Sequence, residues 1–229
     1  MVVHKINFPI YGIIVVLSVL IGCIYIYKNL RKEGIDKNLL LYYFFMFAAF
    51  AFICGKIYTI LVNINEGIDL LHAGLSAYGG LLGVVLASII YEYIFPCNKK
   101  IIKYSILSLP LIYGLSKIAC TIVGCCHGIP YTGPFSVKYI DVLDEFVFPV
   151  QLLEVILNLV LFFIFNKFKD KKNIIYINLL VVSIVKFLTD FLRYDHIHTF
   201  ITANQIFSII LIFIVIIIYV KNNKKGIKN

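Results

Sequence analysis

Six charged residues stand within or beside long apolar runs of this sequence. They are Lys56, Lys117, Glu154, Lys186, Asp190 and Arg193. Lys186, Asp190 and Arg193 follow one another at spacings of four and three residues, which places them on one face of a helix. The four cations exceed the two carboxylates by two formal charges, and cations removed from water need an anion. The set therefore predicts a binding site for an anionic group, although Lys186, Asp190 and Arg193 could also simply neutralise one another.

A second unusual group is the run Cys125, Cys126 and His127, which precedes a loop rich in glycine, proline and aromatic residues. Small residues here could shape a tight turn, or one thiol could be an activated nucleophile beside His127 or Lys117. With Cys120 the run offers four soft metal ligands, but the spacing is not that of a usual zinc knuckle. A disulfide between adjacent cysteines would be strained. We therefore predict neither a metal nor a cofactor.

The elements that position these residues are predicted to be membrane-spanning helices. The chain of 229 residues is 61% hydrophobic and 14% charged, whereas soluble domains are about 45–50% apolar and about 25% charged. About 20 apolar residues cross a bilayer. The first apolar run lacks a small-residue cleavage site, so we expect a span there rather than a cleaved signal. The predicted spans are approximately 9–27, 39–61, 77–95, 104–123, 149–166, 174–192 and 203–220.

We therefore predict an all-α polytopic membrane protein with seven transmembrane helices and one integral membrane domain, residues 1–229. The net charge of +9 comes from lysine clusters that follow the first, third, fifth and seventh spans. Basic residues flank spans on the cytoplasmic side, which predicts an outside N-terminus and a cytoplasmic C-terminus. No basic helix or stacking platform is apparent, so we predict no binding of nucleic acid.

On this topology nearly all the charges within the spans share one depth near the outer surface; the exception is Glu92, near the inner end of the third span, which we expect at the membrane interface. Lys117 lies about six residues, or roughly 9 Å, from the outer end of its span, and Lys56 lies at a similar depth. Tyr11 and Tyr78 stand at the outer ends of the first and third spans. Charges in a bilayer face a protein interior or a water-filled cavity. We therefore predict a cavity that opens to the outer leaflet and binds an anionic lipid headgroup.

Glycines cluster where the third predicted span begins, in the segment HAGLSAYGGLLGVVLA. Glycines within spans permit close packing of helices. They also let a ligand approach the backbone, and the N–H groups at a helix N-terminus favour anions. Both roles stay open for Gly79 and Gly80.

Four segments resemble, in order and spacing, those of the prolipoprotein diacylglyceryl transferases. They are GLSAYGGLLGVVLA, GLSKIACTIVGCCHGIP, FPVQLLEVILNLVLFF and FLTDFLRYD with NQIFSIILI. The resemblance runs from Tyr11 to the last span and implies seven spans with the N-terminus outside, in agreement with the charge pattern. It also implies that diacylglycerol moves from phosphatidylglycerol to a lipobox cysteine thiol, with formation of a thioether and release of glycerol phosphate.

The resemblance implies roles for individual positions. Lys117 and Lys186 stand where the family has arginines, Asp190 stands at a glutamate, and Arg193 matches. Lysine keeps the charge of arginine but lacks its two-pronged grip on phosphate. Tyr78 stands at a histidine and is a poor base at neutral pH, since the ordinary pKa of tyrosine is about 10. Further matches are Ser76, Gly79, Gly80, Gly128, Gln151 and Glu154, with Cys120 at an asparagine.

Together these observations predict a phosphatidylglycerol–prolipoprotein diacylglyceryl transferase-like enzyme of the bacterial cytoplasmic membrane, with its site towards the outer leaflet. Lys117, Lys186 and Arg193 would hold the phosphate, Asp190 would orient them, and His127 or Glu154 would take the thiol proton. Four further residues are assigned to the substrate-binding set because they lie near the proposed site along the sequence: Tyr11, Lys56, Cys125 and Cys126. The expected partners are phosphatidylglycerol, membrane lipid and a prolipoprotein signal peptide with its lipobox cysteine.

Two alternatives stay open. The first is a membrane thiol–disulfide oxidoreductase that works through Cys125 and Cys126. The second is a lipid-binding paralogue without catalysis. The lysine, tyrosine and cysteine replacements are also compatible with a different acceptor thiol or a different nucleophile.

Overall fold

The computed structural model describes residues 2–4, 8–62, 75–97, 100–140, 145–197 and 199–226, which are mostly helical. Seven α-helices lie within these described residues. They are α1 (Phe8–Lys32), α2 (Lys37–Val62), α3 (Ala77–Ile94), α4 (Lys100–Val123), α5 (Val150–Lys167), α6 (Ile174–Asp190) and α7 (Ala203–Gly226).

The helices agree with the predicted membrane architecture in part. Among the described residues, five helices are long and apolar enough to cross a membrane, namely α1, α2, α4, α5 and α7. The apolar part of α3 is shorter, and α6 has only 17 residues because it ends at Asp190, within the charged set. A predominantly helical membrane protein is therefore confirmed, whereas the count of seven spans and the sidedness of the termini stay predictions.

One small element was not expected from the sequence. Strand β1 (Val2–His4) pairs in parallel with β2 (Lys138–Ile140), so that Val3 lies opposite Tyr139. The loop between α4 and α5 adds isolated bridges, in which Val147 pairs with both Pro130 and Val137. Val137, Tyr139 and Val147 form a small buried cluster within that loop. The loop that carries the cysteines is therefore a packed structure with a core of its own.

The described helices form two compact units. The first comprises residues 1–20 and 110–229, and the second comprises residues 21–109. In the first unit α6 packs on both α5 and α7, and in the second α2 packs along α3. The expectation of a single domain stays a prediction.

The α2–α3 contact gives two of the glycines a packing role. A Cβ atom on Gly79 would lie 2.6 Å from Tyr58 Cβ and 2.8 Å from Gly55 Cα, and one on Gly83 would lie 2.9 Å from Ala51 Cα. Gly79 and Gly83 are one helical turn apart, so their missing side chains let two backbones approach closely. Gly80 is different, because the nearest atom to its Cβ position is Ala51 O at 3.8 Å. Packing thus explains Gly79 and Gly83 but not Gly80.

Candidate active site

Glu154 is the centre of a buried ionic network in the first unit. It lies one turn into α5 and is fully buried. Lys117 Nζ, from α4, lies 3.0 Å from Glu154 Oε2, and Lys186 Nζ, from α6, lies 2.7 Å from Oε1. Arg193 Nη2 donates to Oε2 at 3.2 Å and to Oε1 at 3.3 Å. Three cations from α4, α6 and the segment after α6 therefore converge on one carboxylate.

Asp190 is the second carboxylate of the network. Its Oδ1 atom lies 2.8 Å from Lys186 Nζ and 3.0 Å from Arg193 Nε, as expected for residues on one helix face. Thr202 Oγ1 donates to the other oxygen, Oδ2, at 2.6 Å. Asp190 thus ties the two cations to each other and to the start of α7.

Tyr113 is a member of the network that the sequence reasoning missed. Its hydroxyl donates to Glu154 Oε1 at 3.1 Å, and its ring lies 5.0 Å from Lys117 Nζ and 5.8 Å from Lys186 Nζ. Tyr113 precedes Lys117 by four residues on α4, so the helical period could have placed it on the same face. Thr202 gave no such signal, because its contact depends on the path of the chain after α6.

The described members of the network carry one positive charge in excess. Lys117, Lys186 and Arg193 stand against Glu154 and Asp190, and none of the five is more than 7% exposed. Burial would lower the pKa of Arg193, but the adjacent Glu154, together with Tyr113, Cys126 and Asp190, raises it well above its ordinary value. A buried excess cation is costly unless an anion approaches it. The network can therefore hold an additional anionic group.

The cysteine run begins where α4 ends. Gly124 N–H donates to Cys120 O at 2.9 Å, and Gly124 has φ +78°, the left-handed conformation that commonly terminates a helix. Cys126 also has a positive φ of 56°, which is uncommon for a residue with a side chain. The sulfur atoms of Cys120, Cys125 and Cys126 lie within 4.8 Å of one another. The turn therefore gathers three thiols in one place.

These thiols influence one another. Hydrogen bonds with Cys120 and then Cys125 lower the pKa of the Cys126 thiol well below its ordinary value, and Lys117 and Arg193 act in the same direction. Hydrogen bonds with Cys120 and Cys126 raise the pKa of Cys125. Cys126 is therefore the member of the cluster that ionises first.

Backbone pairing fixes the cysteine loop against Arg193. Tyr194 N–H donates to His127 O at 3.1 Å, and Ile129 N–H donates to Leu192 O at 3.0 Å. Between them Gly128 and Arg193 form an antiparallel bridge. A Cβ atom on Gly128 would collide with Phe148 O and lie 2.9 Å from Leu192 O, so the bridge accepts only glycine. Gly128 thus has a structural role that its match to the family motif did not reveal.

Three further predicted residues lie around the thiols. Tyr11 is half-buried in α1, with its hydroxyl beside the Cys120 thiol. Gln151 is fully buried and its Nε2 atom donates to Cys125 O at 2.9 Å. His127 is half-buried, with Nδ1 3.2 Å from Gly124 O and its ring centre 5.1 Å from that of Tyr194. The structure therefore brings these residues together with the cysteines.

The remaining predicted residues belong to the second unit. Lys56 is half-buried on α2, and Tyr78 stacks on Tyr58 with ring centres 6.0 Å apart. Ser76 is the residue before α3, and its carbonyl accepts a hydrogen bond from Gly80 N–H at 3.0 Å. Their roles, with those of Gly79 and Gly80, stay predictions.

The sequence is similar to those of known proteins. Staphylococcus aureus strains JH9, Newman and N315 each have a protein named phosphatidylglycerol–prolipoprotein diacylglyceryl transferase that is 33% identical to this chain over 87 residues. Each match covers 35% of this chain and 31% of the relative's length, so most of each relative lies outside it. A model of the family described as prolipoprotein diacylglyceryl transferase matches residues 1–221, nearly the whole sequence. The chain therefore belongs to the prolipoprotein diacylglyceryl transferase family.

Proposed function

We propose that this protein transfers diacylglycerol from phosphatidylglycerol to the thiol of a lipobox cysteine in a prolipoprotein. Membership of the family supports this reaction, as do the names of the Staphylococcus aureus relatives. The single observation that carries the proposal is the buried network around Glu154, whose described members hold one positive charge more than their carboxylates neutralise. The phosphate diester of phosphatidylglycerol carries the one negative charge that this network lacks.

The cations would act on the leaving group. Lys117, Lys186 and Arg193 would hold the phosphate, and their positive charge would stabilise the charge that develops on it as the bond breaks. Arg193 offers planar donors to two oxygens, whereas the lysines act as point charges. Asp190 would keep Lys186 and Arg193 in place through its contacts of 2.8 and 3.0 Å.

The chemical step would be a displacement at carbon. The acceptor sulfur attacks the glycerol carbon that bears the phosphate, a carbon–sulfur bond forms, and the carbon–oxygen bond to the phosphate breaks. The electron pair leaves with glycerol phosphate, and the thiol proton passes to a base. Of the two candidate bases, we favour His127, because Glu154 is already surrounded by three cations and a carboxylate so stabilised is a weak base.

The proton would be taken at Nε2 of His127. Its Nδ1 atom lies 3.2 Å from Gly124 O, a contact that requires Nδ1 to carry the hydrogen. A neutral ring with hydrogen on Nδ1 has its lone pair on Nε2. The half-buried position of the ring beside Tyr194 leaves it within reach of a substrate that approaches the cysteine loop.

We propose the sidedness that the lysine clusters predict. The N-terminus would lie outside the cytoplasmic membrane of a bacterium and the C-terminus inside, with α3 and α6 completing seven spans. The loop between α4 and α5 would then face outwards, and the ionic network would open to the outer leaflet. Lys56, Ser76, Tyr78 and Gly80 would contact lipid or signal peptide from the N-terminal end of α3 and the adjoining part of α2, and Gly79 would serve there by letting α2 and α3 pack closely.

The test is an assay of the purified protein with labelled phosphatidylglycerol and a lipobox peptide. Transfer of label to the peptide cysteine is expected from the wild type and should fall at least about a hundredfold in Lys117→Met, since charge stabilisation of this kind is worth that much. Lys172→Met is the matched control, because Lys172 is exposed in the turn between α5 and α6. Absence of transfer by well-folded wild type would refute the proposal.

The same assay separates the alternatives. Phosphatidylglycerol that copurifies with the protein but is never turned over indicates a lipid-binding paralogue. Disulfide exchange that requires Cys125 and Cys126, without transfer of label, indicates an oxidoreductase. Complementation of a bacterial strain depleted of its own diacylglyceryl transferase then tests whether the activity suffices in the cell, with lipoprotein mobility as the readout.

A further inference from the structure

We propose that Cys120, Cys125 and Cys126 form a binding site for one soft, thiophilic metal ion of the zinc and copper(I) class. The site is built from the last turn of α4 and the turn that follows it, where the three sulfur atoms lie within 4.8 Å of one another. The three sulfurs are not among the side chains proposed to hold the phosphate, so metal binding can be measured without the transfer reaction.

The sulfur positions fit such an ion with little movement. Zinc–sulfur bonds are about 2.3 Å long, so two sulfurs in a tetrahedral zinc site lie about 3.8 Å apart. The three sulfurs of this cluster are at most 4.8 Å apart, so each pair would close by about 1 Å or less to reach that geometry. Side-chain rotation alone can supply a change of this size.

The backbone of the turn is arranged to bring the sulfurs together. Cys126 has φ 56°, a conformation that costs free energy for a residue with a side chain. Gly124 precedes it with φ 78°, and its Cβ position is closed by the ring of Tyr139 at 2.9 Å. Strained backbone of this kind is found at ligand-binding positions, and here it directs the Cys126 sulfur towards the other two.

The ligand set selects the class of metal. Thiolates bind soft ions such as zinc and copper(I) in preference to magnesium or calcium, which take oxygen ligands. The Tyr11 hydroxyl lies beside the Cys120 thiol, in the position from which outer groups orient metal-binding sulfurs. Gln151 holds the carbonyl of Cys125 at 2.9 Å and so fixes the middle of the turn.

The surrounding charges favour the complete complex. Three thiolates and one divalent ion carry one net negative charge, and with a monovalent ion they carry two. The backbone bridge between Gly128 and Arg193 places the cysteine turn beside Arg193, a cation of the ionic network. An anionic metal–thiolate complex is therefore placed beside a complementary cationic group.

Cadmium is the probe for the test. The full-length protein in detergent is reduced with a phosphine, stripped with a chelator, and titrated with cadmium chloride, while the ultraviolet sulfur-to-cadmium charge-transfer band is recorded. We expect one ion per chain and a band intensity of three cadmium–sulfur bonds. Cys120→Ser, Cys125→Ser and Cys126→Ser should each weaken binding at least about tenfold, since each removes one soft ligand.

Cys23→Ser and Cys54→Ser are matched controls that should leave the titration unchanged, because neither sulfur belongs to the three-sulfur group. A second readout guards against variants that fold poorly: cadmium should protect the accessible thiols of Cys125 and Cys126 in the wild type from maleimide, whereas Cys120 is already buried. Binding that survives all three serine substitutions, or unchanged labelling of both Cys125 and Cys126 in the presence of cadmium, would overturn the proposal. A disulfide among these cysteines in protein taken directly from cells, found by mass spectrometry before reduction, would also overturn it.

Discussion

Gly128 and Arg193 face each other in an antiparallel bridge, and this pairing joins the cysteine loop to the ionic network. The flanking hydrogen bonds, from Ile129 N–H to Leu192 O and from Tyr194 N–H to His127 O, measure 3.0 and 3.1 Å. Arg193 in turn donates to Glu154. These backbone hydrogen bonds thus hold His127, the candidate base, close to Arg193, a candidate phosphate-binding cation, although the two residues come from separate loops.

Replacement of Gly128 by alanine should disrupt this connection. The new Cβ would collide with Phe148 O and lie 2.9 Å from Leu192 O, so the loop must separate from the residues after α6. We expect a loss of stability of about 1–3 kcal/mol, typical of overpacking, measured by thermal unfolding in detergent. Gly12→Ala is the control, because nothing lies within 4 Å of its Cβ position on α1. Equal stability of the two variants would contradict the assigned role of Gly128.

Replacement of Glu154 by glutamine should destabilise the first unit strongly. The substitution keeps the shape of the side chain but leaves Lys117, Lys186 and Arg193 without their shared counter-charge. Breaking a buried ion pair in this way costs about 3–5 kcal/mol. Thermal unfolding should show this loss in Glu154→Gln and little change in Glu145→Gln, since Glu145 is exposed.

A double variant tests whether the loss comes from uncompensated charge. Adding Lys117→Met to Glu154→Gln removes one of the stranded cations, so the double variant should lose less stability than the two single variants together. Strict additivity of the losses would show that Lys117 and Glu154 do not interact.

Two substitutions of Tyr113 should distinguish the contribution of its hydroxyl to stability from that of its ring. Tyr113→Phe removes the hydrogen bond of 3.1 Å to Glu154 but keeps an aromatic face near Lys117. Hydrogen bonds to charged groups contribute about 1.5–3 kcal/mol, and we expect a loss of stability in that range. Tyr113→Leu should lose more, because the contact between ring and cation disappears as well. If the two variants are equally stable, the ring contributes nothing.

Glu33 offers a prediction of pH dependence outside the spans. A hydrogen bond from Tyr104 at 2.8 Å, followed by the contacts of Lys100, lowers the pKa of Glu33 below its ordinary value. A carboxylate with a lowered pKa stabilises the folded state above its ordinary pKa, and this contribution is lost as the pH falls through the lowered value. Glu33→Gln should therefore be less stable than wild type at neutral pH, by about 0.5 kcal/mol for so exposed a pair.

The difference should shrink in acid. Wild type and Glu33→Gln, unfolded in detergent, should differ in stability above the ordinary pKa of glutamate, about 4.3, and should converge as the pH falls through the lowered pKa of the folded protein. A difference that is the same at both ends of this range would show that the charge on Glu33 plays no part. High salt at neutral pH should also reduce it, because the pair with Lys100 is partly exposed.

The helical membrane architecture could be predicted because its signals are local. Runs of apolar residues long enough to cross a bilayer identify α1, α2, α4, α5 and α7 without any tertiary information. The parallel pairing of β1 with β2 could not be predicted, because the paired residues, such as Val3 and Tyr139, are far apart in the sequence. Neither could the early end of α6, since Asp190 is fixed there by Thr202 from beyond the helix.

The candidate site, like the fold, could be predicted only in part from the sequence. Hydropathy alone identifies Lys117, Glu154, Lys186 and Asp190, because a charge within an apolar run is energetically costly and therefore indicates a functional site. The sequence also brings out Cys120, Cys125 and Cys126, but it favours a turn there over a gathered set of sulfurs. Tyr113 was within reach of helical periodicity and was missed.

By itself the sequence determined that apolar helices cross a membrane and that a few charges and thiols interrupt them, because hydropathy and helical period act over neighbouring residues. Only the tertiary structure decided that Glu154 contacts Lys117, Lys186 and Arg193 together, and that only glycine fits at position 128, opposite Arg193. Lys186 and Glu154 are 32 residues apart along the chain. Contacts at such separations depend on how whole helices pack, and local pattern carries no information about which faces meet.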